Sequence, residues 1–158
     1  MANLAQIVNV IAPIFTNEKG LFLQPIYFPI AEYAKQRNNM SLDVFVSSPV
    51  YKTGNRAPVK SLDVSSTYDA KTGSLFLNVL NRSKSLDITA DLENQSGKAS
   101  GAADVWEMNN ADLKATHTFG ADMKVRPVMR TVNLQPSGPG FKYTFPAHSL
   151  TILKLKIS

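Results

Sequence analysis

Chemistry in this 158-residue chain has to come from twelve acidic side chains, two histidines and scattered hydroxyls, because cysteine is absent. That absence removes a thiolate nucleophile, a thiolate metal site and a disulfide framework. Asp87, Asp91 and Glu93 share the polar face of one expected strand, a spacing that could bring two carboxylates to a metal or a sugar. Charge at such positions more often marks the wet face of an edge strand. Glu18 falls in a polar loop and Glu32 inside an expected helix, both read as solvated. His117 and His148 lie in separate segments without HxxxH spacing, so no zinc site or other metal is expected. His148 sits in the turn Phe-Pro-Ala-His-Ser, where hydrogen bonding is its ordinary role, and Ser149 lacks the strand-turn-helix setting of a nucleophile. Trp106, near Val105 and Met108, reads as core in preference to a platform for sugar stacking. Asn94-Gln95-Ser96 matches a glycosylation pattern only formally. No cofactor motif is present.

These residues are carried by an ordinary globular composition: 44% hydrophobic, 18% charged, with 17 Lys and Arg against 12 Asp and Glu for a net charge of +5. That balance excludes a disordered chain. No apolar run approaches the ~18 residues of a membrane span. The apolar opening is interrupted by Asn3, Gln6 and Asn9 with no basic residue before it, a poor signal peptide, and the compartment stays open. Positive charge concentrates after residue 112, where Lys114, Lys124, Arg126, Arg130, Lys142, Lys154 and Lys156 face only Asp122. Dispersed singly along expected strands, they describe a solvated sheet face and not a nucleic-acid surface.

Two periodicities divide the chain. Met1, Leu4, Ile7, Val8 and Ile11 fall at helical spacing, which predicts an amphipathic helix over residues 1 to 9. Val10 to Phe15 then predicts a short buried strand, weakened by Pro13, followed by a loop over Thr16 to Gln24. A second helix is expected from Pro25, with Ile26, Tyr27, Ile30, Tyr33 and Ala34 on one face and Pro29 shortening its first turn. From Leu42 the period becomes two. Leu42-Val44-Val46, Leu86-Ile88-Ala90-Leu92 and Phe141-Tyr143-Phe145 each alternate with polar or opposite-facing residues. Further strands are expected at Leu62 to Tyr68, Ser74 to Asn81, Ala102 to Met108, Arg126 to Leu134 and Ser149 to Ile157. Turn residues separate them, as in Lys71-Thr72-Gly73 and Ser137-Gly138-Pro139-Gly140.

The fold expectation is therefore mainly β: an antiparallel sandwich or jelly roll over residues 41–158, preceded over 1–40 by a helix-strand-helix piece. A single strand between two helices cannot bury both of its faces alone. Either the piece decorates the sandwich or it is the last unit of a larger α/β domain, which fits an apolar strand between helices better.

The segment MANLAQIVNVIAPIFTNEKGLFLQPIYFPIAEYAK resembles the closing unit of the catalytic barrel of family 51 glycoside hydrolases, the α-L-arabinofuranosidases. LDVFVSSPVY, LDVSSTYD, LFLNVLNRS, VWEMNNADLKATHTF and FKYTFPAHSLTILKL resemble, in order, the β-sandwich that follows that barrel. The resemblance implies a (β/α)8 barrel with a C-terminal sandwich, retaining hydrolysis, and arabinose-containing poly- or oligosaccharide as substrate. The family's two catalytic glutamates lie on earlier barrel strands, so no catalytic residue transfers to this chain, and a missing N-terminal barrel becomes the expected partner. One residue does transfer. Gln24, in Leu-Phe-Leu-Gln-Pro-Ile-Tyr, matches the family glutamine that contacts bound arabinose, whereas the residue types alone make it a cap for the following helix. Leu23 departs from the aromatic or basic residue that often precedes that glutamine. The competing expectation is a freestanding sandwich module that binds a carbohydrate or a protein. Leu80 and Phe76, opposite Leu75-Leu77-Val79, and Leu150 and Ile152, opposite Leu153-Leu155, predict a strand pair covered on both faces and self-association if the cover is lost.

Overall fold

A computed structural model describes residues 4–157. The chain forms two compact units, one of Met1–Arg37 with Asn110–Pro127 and one of Asn38–Asn109 with Val128–Ser158.

In the first unit, β1 (Ile14–Asn17) and β2 (Gly20–Leu23) form an antiparallel hairpin, with Ile14 opposite Leu23 and Asn17 opposite Gly20. The Asn17 carboxamide oxygen accepts the Lys19 N–H at 2.8 Å and Gly20 takes φ +136°, so the two-residue turn is fixed by an Asx contact and a glycine. The loop expected over Thr16 to Gln24 is thus mostly paired strand. The helix expected over 1 to 9 is not formed within residues 4–9, and its first three residues lie outside the described ones. The reason is local. Asn9 and Val10 both adopt left-handed backbone, φ 58° and 61°, which no right-handed helix accommodates. The Asn9 side chain closes this bend onto β1, accepting the Thr16 N–H at 2.7 Å and donating to its hydroxyl at 3.2 Å. The strand expected over Val10 to Phe15 consequently begins only at Ile14, and the helix-strand-helix order becomes bend, hairpin, helix.

That helix, α1 (Tyr27–Ala34), is the one α-helix among the described residues. Pro29 is its third residue, where the missing N–H has no partner within a helix in any case. Its last turn tightens through Gln36 N–H to Tyr33 C=O and Arg37 N–H to Ala34 C=O, and Asn38 at φ 69° ends it. Glu32 and Lys35 pair along it at 2.6 Å. Among the described residues no helix is long and apolar enough to cross a membrane.

The second unit is the antiparallel sandwich that the alternation predicts. Its larger sheet contains β3 (Met40–Leu42), β6 (Leu62–Asp69), β7 (Ser74–Asn81), β9 (Ala99–Met108), β10 (Val128–Asn133) and β13 (Leu150–Ile157), in the order β10-β9-β13-β7-β6-β3. Its smaller sheet orders β11 (Gln135–Ser137), β12 (Gly140–Phe145) and β8 (Ile88–Leu92) as β11-β12-β8, and β4 (Val50–Tyr51) pairs with β5 (Val59–Lys60) alone. The core joins Leu62, Val79, Ala103, Val105, Leu153 and Leu155 of the larger sheet to Phe141 and Phe145 of the smaller. Burying one face of each sheet against the other is what the two-residue period encodes. Beyond Leu42 the alternation outlasts the ladder: Val44 and Val46 stay half-buried while Phe45 is 93% exposed, without strand pairing.

β13 pairs with β7 without interruption from Leu150 to Lys156, and its one irregularity lies between Leu155 and Ile157 against β9. Ile152 therefore stands on the face opposite the core beside Trp106 and Asn78, and all three are buried. Asn81 anchors the end of β7, its amide donating to the Leu86, Phe145 and Pro146 carbonyls at 2.9–3.0 Å while its oxygen accepts the Ser83 N–H. Arg130 of β10 forks onto Glu107 and reaches the Tyr143 hydroxyl at 3.0 Å, tying the two sheets together. The hydrogen bond to Glu107 raises the Arg130 guanidinium further above its ordinary value, and burial raises the Tyr143 phenol above 10.0.

Candidate functional site

Gln24 is the first of the three residues between β2 and α1. Its N–H donates to the Pro13 carbonyl at 2.8 Å and its carbonyl accepts the Tyr27 N–H at 2.9 Å, which starts the turn into the helix. The helix-capping role is carried by this backbone carbonyl. The residue preceding the helix, Ile26, makes no side-chain cap, and among the described residues the half-buried Gln24 carboxamide has no hydrogen-bond partner. Its donor and acceptor are thus free for a ligand.

The residue before it is clasped by a histidine 94 positions away. His117 is 3% exposed, its Nδ1 bonded to the Leu23 carbonyl and its Nε2 accepting the Val125 N–H at 2.9 Å. The Phe28 ring of α1 stands edge-on to it at 6.5 Å. Beside this clasp, Phe22 stacks on Phe15 at 5.1 Å and meets Phe119 edge-on at 4.7 Å. A groove of about 550 Å³ opens there, lined by Phe22, Leu23, Thr118, Asp122, Met123 and Arg126 among others. The segment Asn110–Pro127, which contributes this wall, has no strand or helix of its own.

The other residues singled out by type are engaged in contacts of their own or buried: Asp87 lies just before β8, and Trp106 lies on the sheet face opposite the core. Asp87 accepts the Ala147 N–H at 2.8 Å, and Asp91, on the exposed face of edge strand β8, bonds to the Ser137 hydroxyl and pairs with Lys142 at 3.5 Å. The Ser137 hydroxyl holds the Asp91 carboxyl below its ordinary value, with Lys142 adding to the effect. His148 bonds the Lys84 carbonyl at 2.9 Å, and Ser149 donates to the Pro146 carbonyl at 2.7 Å from a fully buried position. A serine so committed is no nucleophile. Trp106 is buried and offers no face to a sugar. Among the described residues no cluster of His, Asp and Glu is suited to a metal. The contact of His117 with Leu23, the residue before Gln24, is one that residue spacing missed, since no local pattern announces a contact across 94 positions.

The α-L-arabinofuranosidase C-terminal domain family model matches residues 1–149. The chain belongs to this family. A probable α-L-arabinofuranosidase C of Aspergillus clavatus is 30% identical over 99% of the chain, and the chain spans 30% of that relative's length. An intracellular exo-α-(1→5)-L-arabinofuranosidase of Bacillus subtilis is 28% identical over 74% of the chain and 23% of its own length. The fold matches that of the α-L-arabinofuranosidase of Thermotoga maritima, solved as an arabinose complex, with a TM-score of 0.85 and 22% identity over 99% of the chain and 34% of that structure. In this chain the matched region comprises the sandwich and the additional unit that contains Gln24.

Proposed function

We propose that this chain is the C-terminal part of an α-L-arabinofuranosidase that removes arabinofuranosyl residues from arabinan or arabinoxylan with retention. Residues 1–40 complete a (β/α)8 catalytic barrel and residues 41–158 brace it. The family match over residues 1–149, together with relatives about three times as long, carries the reading. The first unit supports it: Ile7, Val10 and Ile11 are 67%, 73% and 75% exposed, and Ile26 just before α1 and Ile30 and Tyr33 on it are exposed as well. Apolar side chains so grouped fit burial against the preceding barrel. The nucleophile and the acid/base carboxylates that retaining hydrolysis needs, about 5 Å apart, are supplied by that barrel. Gln24 contributes a carboxamide that donates to and accepts from hydroxyls of the arabinose ring, fixing the sugar for attack.

The test compares the purified chain with the same chain joined behind a family barrel, on an aryl arabinofuranoside. The reading expects turnover only from the joined protein. Hydrolysis by the 158-residue chain alone, abolished by a point change within it, overturns the reading, and a self-sufficient glycan-binding chain would favour the freestanding module.

A further inference from the structure

The peptide unit joining Leu23 to Gln24 is held at both of its polar ends. Its carbonyl is bonded to His117 Nδ1 and its N–H donates to the Pro13 carbonyl at 2.8 Å. A carbonyl only accepts and a backbone N–H only donates, so the Leu23 bond requires the proton on Nδ1 and the Val125 bond requires a bare Nε2. The two bonds together call for one arrangement of the ring, which is set edge-on to Phe28. The next carbonyl, that of Gln24 itself, is bound to the Tyr27 N–H at 2.9 Å. These contacts fix the direction of the Gln24 Cα–Cβ bond while leaving its carboxamide unbonded.

We propose that His117 is a positioning residue for Gln24: it holds the peptide plane from which the glutamine side chain reaches the sugar. The inference rests on the reading that Gln24 contacts arabinose. A glutamine has three rotatable bonds, so its carboxamide finds a sugar hydroxyl reliably only from a fixed backbone. His117 comes from Asn110–Pro127, between β9 and β10 in the chain, so a segment leaving the sandwich sheet supplies the support for a barrel-end residue.

Two substitutions separate the bonds of the ring. In His117→Asn the amide nitrogen stands near the place of Nδ1 and keeps the Leu23 contact; in His117→Gln the amide oxygen reaches the place of Nε2, keeps the Val125 contact and loses Leu23. In the full-length enzyme assayed on an aryl arabinofuranoside, His117→Gln should lower kcat/KM about tenfold and His117→Asn should stay within about twofold of the parent. Added to Gln24→Ala, His117→Gln should cost nothing more, because both act through one contact. An unimpaired His117→Gln, or a loss that adds in full to that of Gln24→Ala, overturns the positioning role while leaving the substrate contact standing. An unimpaired Gln24→Ala overturns the substrate contact itself. Should His117→Gln fail to fold, nitrogen NMR of the parent imidazole decides: protonation at Nδ1 with a bare Nε2 supports the clasp, and a proton on Nε2 overturns it.

Discussion

Replacing Gly140 with alanine should destabilise the sandwich strongly. Gly140 begins β12, and a Cβ there would lie 1.9 Å from the Leu92 carbonyl oxygen and 2.9 Å from its carbon, in the facing strand β8. An ordinary C···O contact is about 3.3 Å, so the strands would have to part by roughly 1.4 Å. Ladder hydrogen bonds do not survive such a shift. Losing two of them costs about 2 kcal/mol, and loosening Phe141, buried beside the site, costs about 1–3 more. The expected destabilisation is thus about 3–5 kcal/mol, a large share of the ~5–15 kcal/mol that holds a typical domain together. The direction is diagnostic, since glycine to alanine at an unstrained, open position stabilises by about 0.4–1 kcal/mol. Urea unfolding followed by the fluorescence of Trp106, the single tryptophan, reads the change as a lowered midpoint at unchanged slope. A Gly140→Ala protein as stable as the parent would refute the close approach of β12 to β8.

Val10, left-handed and mostly exposed, gains nothing from its β-branch, and Val10→Asn should raise stability by about 0.5–1 kcal/mol, seen as a higher Tm. Asp69 and Asp91 are both held below their ordinary value of 3.8, by the Thr72 and Ser137 hydroxyls respectively. Their stabilising contribution is present above that value and is lost as pH falls through the lowered folded-state pKa; Asp91→Asn should therefore flatten the fall of Tm below about pH 4. The chain without a barrel should bind a hydrophobic dye, and Ile7→Ser with Ile11→Ser should reduce that binding, because the exposed apolar side chains gather there; Phe76 lies under the Lys154 ammonium at 5.9 Å and is a lesser contributor. An unchanged dye signal in the double variant would place the patch elsewhere.

The sandwich is readable from sequence because burial on one face of a strand imposes the period directly. Ser74–Asn81 is found with the expected bounds, and Leu150–Ile157 and Leu62–Asp69 differ by one residue at an end. Pairing is less readable than burial, as Val44 and Val46 show by keeping the alternation without the ladder. The first unit defeats periodicity for two reasons. Its apolar residues Ile7, Val8, Val10 and Ile11 are exposed, so their helical spacing marks neither a helix nor a face buried within this chain. Its conformation is set by single side chains, Asn9 gripping Thr16 and Asn17 closing the hairpin. Gln24 becomes a candidate only through the family resemblance, since nothing in the residue types around it separates a ligand contact from a cap. The support beneath it arises from tertiary structure, where His117 meets Leu23.

The most direct measurement is kcat/KM of Gln24→Ala in an enzyme that carries this chain behind its barrel, with an arabinofuranoside as substrate. Losing a hydrogen bond to a buried sugar hydroxyl should weaken transition-state binding by about 1–3 kcal/mol, a fall of roughly 5- to 150-fold, with Tm nearly unchanged. A variant as active as the parent would contradict the account and return Gln24 to its backbone role at the start of α1.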